Sequence, residues 1–169
     1  MEAAIAYMQG DYDTAEKALR RAIDNYTAIN SQRFILVCKS DLAHALRRTG
    51  RIEESASAYQ ETVQLWREQS NLPALAHQFE CVAYITIYRG NFESAAKLIG
   101  KAKEIRASTG AQSTQEVEID EFTQAIEQLT EALGATERDR LMKIGEKMNL
   151  DDAIAFALNA LKLVGEKTI

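Results

Sequence analysis

Residues 90–99, "GNFESAAKLI", decide how this chain folds, because two other versions of them precede it. Residues 10–19 read "GDYDTAEKAL" and residues 50–59 read "GRIEESASAY", so Gly10, Gly50 and Gly90 stand forty residues apart. After each glycine a stripe of positions recurs at steps of three and four. It holds Tyr12, Ala15, Leu19, Ala22, Tyr26 and Ile29 in the first copy. The second copy has Ile52, Ser55, Tyr59, Thr62 and Trp66, and the third has Phe92, Ala95, Ile99 and Ala102. With Glu, Lys and Arg elsewhere, this is one face of an amphipathic helix. Each glycine also follows another apolar-periodic segment, and glycine just past a helix end readily takes the left-handed conformation that closes it. Asp11 and Asn91 then serve as N-caps of the next helix, whereas Arg51 predicts a weaker cap in the middle copy. Asp13, Glu53 and Glu93 place a carboxylate in each first turn, where the helix dipole favours it.

Each glycine therefore joins a helix A to a helix B. Helix A is expected over about Arg33–Thr49 in the second unit and about Pro73–Arg89 in the third. Ser31 and Asn71 sit at N-cap positions, and Pro73 falls in the first turn, where proline costs least. The first unit keeps only a stub of helix A, Met1–Gln9. Ala3, Ala43 and Ala83 recur at the same period, mid-helix, where two helices cross closely. The pattern is a two-helix unit stacked on copies of itself.

Bulk composition agrees with an all-α reading. A chain of 169 residues is one domain's worth and buries roughly two-thirds of its unfolded surface when compact. One proline and eight glycines leave little room for the many turns of a β protein. The longest stretch without Asp, Glu, Lys or Arg, Gln69–Phe79, has eleven residues, too few to span a bilayer. No basic-then-apolar leader opens the chain, so no signal peptide is expected. Cys38 and Cys81 lie far apart in apolar helical stretches and read as reduced thiols of a cytoplasmic protein. A net charge of −5 without a basic stripe argues against direct nucleic-acid binding.

An alanine at the helix A crossing and a turn of Gly-x-aromatic/aliphatic-acid resemble the tetratricopeptide repeat. So do the small and large apolar residues three and seven positions after the aromatic. That repeat is 34 residues long and ends helix B with proline. Here Thr27, Arg67 and Ala107 occupy the proline place, and both helices are longer. Armadillo and HEAT units have a similar period but lack this glycine turn. The resemblance implies a right-handed α–α superhelix of about three helix-turn-helix units with capping helices. A single domain is expected, with units at about 1–30, 31–70 and 71–110, and a degraded unit plus caps over 111–169. Long-helix repeats of this kind, and the run from about 90 to 160, are similar to carboxy-terminal arrays of bacterial signal-transduction ATPases and transcriptional regulators. In that run, residues 113–134 read as a long helix with Val117, Phe122, Ile126, Leu129 and Leu133 near one face. Thr130 stands where a fourth turn glycine would be. Residues 141–158 read as a short helix, a stop at Gly145, and a last helix capped by Asn149 and Asp152.

Signatures of catalysis do not emerge. Gly100–Lys101 lacks the upstream glycine and the Ser/Thr of a phosphate-binding loop, and there is no Gly-x-Ser-x-Gly, His-Glu-x-x-His or Cys-x-x-Cys. The chain is expected not to be an enzyme and to need no cofactor. His77 and Cys81, an i, i+4 pair, are the best metal-ligand candidates, but Cys38 and His44 fall on nearly opposite faces of their helix. A closed zinc site wants four converging ligands, so no metal is expected and the pair reads as a half-buried cysteine beside a polar histidine. Asp151–Asp152 and Glu53–Glu54 are accounted for by helix starts, and Trp66, Tyr59 and Tyr26 by repeat packing.

What remains is a surface. The resemblance implies that A helices line the concave side. Carrying its groove positions over residue by residue gives Ser40, His44, Arg47 and Arg48 in unit two and His77, Glu80, Tyr84 and Tyr88 in unit three. The degraded unit adds Asp120, Gln124 and Glu127. Arg47–Arg48 with Tyr84–Tyr88 could clamp an acidic segment, since Arg forks pair with carboxylates and stack on rings; the alternative is solvated helix-end charges and packing tyrosines. The expected function is a protein-interaction module, scaffold or sensor, of a larger bacterial regulator. The alternative is a small-molecule inducer-binding sensor domain. Expected partners are a protein or peptide segment, and a second copy through the exposed N-terminal end, with no membrane or nucleic acid.

Overall fold

In the computed structural model, residues 2–113 and 115–162 are described. They fold into nine helices: α1 (Glu2–Met8), α2 (Tyr12–Ala28), α3 (Gln32–Arg48), α4 (Ile52–Glu68), α5 (Leu72–Tyr88), α6 (Phe92–Thr109), α7 (Glu116–Leu133), α8 (Ala135–Glu146) and α9 (Leu150–Leu161). The all-α reading holds, and helix follows helix across short turns as in a helical repeat array. From α2 to α5 each helix has 17 residues, about 25 Å of axis.

The repeat is finer than the glycines reveal. Left-handed backbone recurs every twenty residues, at Gly10, Asn30, Gly50, Ser70 and Gly90, with φ of 75°, 54°, 78°, 51° and 76°. At each of these the same pair of hydrogen bonds closes the helix. Gly50 N donates to Arg47 O at 3.1 Å and Arg51 N to Leu46 O at 2.9 Å. Ser70 N donates to Arg67 O at 2.9 Å and Asn71 N to Trp66 O at 3.2 Å. This is the Schellman closure, which satisfies the last carbonyls of one helix while aiming the chain back. The glycines mark only the A-to-B turns; at the B-to-A turns Asn30 and Ser70 adopt the same conformation at a steric cost.

Caps follow the sequence reading. Asp11 accepts from Thr14 N at 3.1 Å, Asn71 from Ala74 N at 3.0 Å, Asn91 from Ser94 N at 3.2 Å and Asn149 from Asp152 N at 2.8 Å. Ser31 stands at its N-cap position but makes no side-chain cap bond. Arg51, the weak cap, contributes otherwise: its guanidinium bridges Glu16 of α2 at 2.5 Å and Glu54 of α4 at 2.6 Å. The bond from Arg51 holds Glu54 below the usual carboxylate range; in Glu16 burial pushes the pKa up, but the bonds from Arg20 and then Arg51 outweigh it and hold it low.

The described residues group into two compact units, Met1–Leu65 and Trp66–Ile169. In the first, α2 packs between α1 and α3. Leu19 meets Cys38, Leu42 and Leu46, with Ala3, Ala22, Ile23 and Tyr26 at the margin. Tyr26 stacks on Phe34 with ring centroids 5.0 Å apart. Ala43 is fully buried, and Ser55 Oγ donates to its carbonyl at 2.8 Å.

In the second unit α6 is the central helix, with α5 and α8 its main partners. Leu75, Phe79, Ile85, Leu98 and Ile99 fill the core. Two glycines bring α6 and α8 into backbone contact. A Cβ on Gly100 would lie 2.0 Å from Met142 O, and one on Gly145 would lie 1.8 Å from Lys97 O. Gly145 is therefore not the expected stop: α8 continues through it to Glu146, and its missing side chain serves the crossing. Thr130 likewise lies inside α7, which ends three residues later at Leu133, before Gly134 with φ 76°. Arg89, just past α5, donates to the final carbonyls of α9, Ala160 O at 3.1 Å and Leu161 O at 3.2 Å. Among the described residues no helix is long and apolar enough to cross a membrane.

Candidate functional site

The groove residues expected from the sequence divide by burial. In the first unit Ser40 and His44 are interior, at 5% and 7% exposure. His44 Nδ1 lies 2.6 Å from the buried Tyr59 hydroxyl, a polar pair inside the α3–α4 seam. Arg47 and Arg48 are half-buried at the end of α3. The Arg48 guanidinium sits over the Tyr7 ring at 4.7 Å and near the Tyr12 ring at 5.9 Å. Those two rings meet edge to face at 5.4 Å. Arg48 thus stacks on rings as its residue type favours, and the rings are those of its own unit.

In the second unit Glu80 is also interior, at 3% exposure. It occupies the same repeat position as Ser40, forty residues on. Arg106 of α6 grips it with both prongs, Nε to Oε1 at 2.6 Å and Nη2 to Oε2 at 2.7 Å. Burial pushes the Glu80 carboxyl up, but the bonds from Arg106 and then His77 outweigh it and hold the pKa below the ordinary 4.5. A charge removed from water stays ionised only with such a partner. His77 continues the network: Nδ1 is 3.6 Å from Glu80 and Nε2 is 3.8 Å from Glu118 of α7. Cys81 Sγ lies 3.6 Å from the same Nε2. Burial pushes the imidazole pKa down, yet Cys81, Glu80 and Glu118 together hold it well above its usual value. Cys81 is completely buried rather than half-buried. Tyr84 is partly buried, Tyr88 is 72% exposed, and Asp120, Gln124 and Glu127 are exposed on α7.

The face of α7 that turns toward α5 and α6 is a different one. Glu118, Ile119, Phe122 and Thr123 line a cleft of about 380 Å³ with Glu80 on its α5 side. Lys103, Arg106 and Ala107 form the α6 wall, and the connecting residues Ala111, Gln112 and Ser113 complete the lining. The Glu80–Arg106 pair belongs to this lining, so the cleft joins a neutralised ion pair to an apolar wall. Pockets with an apolar body, a few convergent polar groups and shifted pKa values are where ligands bind. Arg106, Lys103 and Glu118 escaped the sequence reading. Glu80 and Arg106 are twenty-six residues apart, a separation that matches no helical period, and only the α5–α6 packing brings them together.

Comparison with protein families matches the family described as tetratricopeptide repeat to residues 35–68. That stretch covers most of α3 and all of α4. Comparison with curated proteins and with solved structures finds no match. The matched repeat is a protein-interaction motif in general, and it falls where the forty-residue pattern places one full helix pair.

Proposed function

We propose that this chain is a non-catalytic protein-interaction module that presents its A-type helices to a partner segment, α3 in the first unit and α5 and α7 in the second. The observation that carries the reading is the reset of the backbone every twenty residues, with a tetratricopeptide match lying within it. Helices of equal length at a constant spacing present the same positions again and again, which is how helical repeats build recognition surfaces. On that surface the accessible groove candidates are Tyr88, Asp120, Gln124 and Glu127, with Arg47 and Arg48 partly so. Ser40, His44 and Glu80 act from the interior, holding the helices in register. The similarity of residues 90–160 to arrays in bacterial signal-transduction regulators supports placing the module in such a regulator, in the cytoplasm. Half or more of Ile5 and Met8 is exposed on α1, which supports self-association through that end.

The test is affinity purification with the whole chain as bait, followed by measured binding of the identified partner. Tyr88→Ala and the pair Arg47→Ala/Arg48→Ala are each expected to weaken it about tenfold, the scale of an interface anchor. A partner bound equally well by all these variants would refute the A-helix surface.

A further inference from the structure

The cleft of the Trp66–Ile169 unit has three chemically distinct walls. On α6, Lys103 and Arg106 are cations one helical turn apart. On α7, Glu118 supplies a carboxylate beside Ile119 and Phe122. In the connection between α6 and α7, Gln112 and Ser113 offer hydrogen-bonding groups. The floor needs no further charge, because Glu80 takes Nε and Nη2 of Arg106. Arg106 is half-buried in this lining, and Lys103 is exposed. Ile119 is 49% exposed, a large apolar side chain left facing water.

We infer that this cleft binds a small zwitterion carrying a bulky apolar group, the chemistry of a free apolar α-amino acid. The ligand carboxylate faces Lys103 and Arg106, its ammonium faces Glu118, and its side chain covers Ile119 and Phe122. The alternatives each leave a group unsatisfied. A hydrocarbon would strip water from the exposed Lys103 and return no partner, which is costly, whereas Glu118 already lies 3.8 Å from His77. A simple anion meets Glu118, and a simple cation meets Lys103 and Arg106. A volume of about 380 Å³ falls in the range of small-ligand pockets. A ligand of about a dozen heavy atoms in an open cleft should bind with a Kd of roughly 0.1–1 mM. This inference does not rest on the partner surface proposed above, since the α7 residues it uses, Glu118, Ile119 and Phe122, face away from Asp120, Gln124 and Glu127.

The experiment is calorimetric and NMR titration of the whole chain with L-phenylalanine and L-leucine. Saturable binding is expected, with amide shifts confined to α6, α7 and the segment between them. L-phenylalanine amide and N-acetyl-L-phenylalanine should each bind about tenfold more weakly, since each loses one charge-assisted contact. Lys103→Ala should weaken free phenylalanine about tenfold and leave the amide unaffected; Glu118→Gln should do the same for the free and N-acetyl forms. Lys103 is exposed and Glu118→Gln is isosteric, and circular dichroism verifies that both variants fold. If the doubly blocked N-acetyl-phenylalanine amide binds as well as the free amino acid, the cleft takes a side chain of any segment and the proposal is overturned. It is equally overturned if neither amino acid saturates by about 10 mM, or if the shifts fall outside the cleft. Retention of the protein partner by Lys103→Ala separates the two readings.

Discussion

Glu80 shows how far a residue's role can lie from its address in the repeat. Its position marks it as a groove residue, yet it is interior, and Ser40 at the equivalent place is interior as well. Helices this long carry their neighbours over the position, and in the second unit Arg106 covers it. Arg106→Met strands Glu80 as a buried charge and is expected to cost about 3–5 kcal/mol, read from urea unfolding. Because the folded pKa of Glu80 is depressed below 4.5, its contribution is complete above that pH. It fades as the pH falls toward the lower folded value. Glu80→Gln should therefore flatten the acid limb of the stability–pH curve below about 4.5, relative to the parent protein. Ser70 supplies the opposite kind of test. With φ of 51° it holds a conformation that glycine adopts freely, so Ser70→Gly is expected to stabilise the chain by about 1 kcal/mol in the same assay. Its left-handed role was invisible in the sequence, since serine is common at turns for several reasons.

The α6–α8 crossing is decided by two absent side chains. Alanine at Gly100 or Gly145 would gain about 1 kcal/mol of helix propensity, but its Cβ would sit within 2.0 Å of a backbone carbonyl of the facing helix. Backbone cannot rotate away as a side chain can, so α8 must lift. Gly100→Ala and Gly145→Ala are each expected to destabilise by about 3 kcal/mol, measured by denaturant titration. Arg89 governs a second element, since its bonds to Ala160 O and Leu161 O tether the end of α9. Arg89→Ala should raise amide exchange rates across α9 before those of α5 and α6 change. The limits of α3 and α5 were readable to within a residue or two because caps and breakers are local chemistry, whereas α7 begins at Glu116 rather than 113 and α8 begins at Ala135, six residues before the expected 141. The purpose of Gly145 was not, because a glycine that ends a helix and one that admits another helix look alike in one dimension.

At the scale of the molecule the constant twenty-residue spacing acts as a constraint. Inserting one alanine after Gln60 rotates the rest of α4 by about 100° and swings Thr62 and Val63, both fully buried, away from their seam. Thermal unfolding is expected to shift down by at least about 10 °C. A glycine inserted after Gln112, in the connection between α6 and α7, should leave the melting temperature within about 2 °C, because loop lengthening costs little. The contrast separates a chain held by helix register from one held by composition alone.

Local chemistry in the sequence determined the helices, their caps, the glycine turns and the repeat, since each depends on residues within one or two turns of one another. Tertiary structure alone decided which polar residues became interior. It also decided that two glycines serve a helix crossing, and that Lys103, Arg106 and Glu118 converge on a cleft. These outcomes depend on which helix lies against which, and side chains from separate helices meet only after packing has placed them.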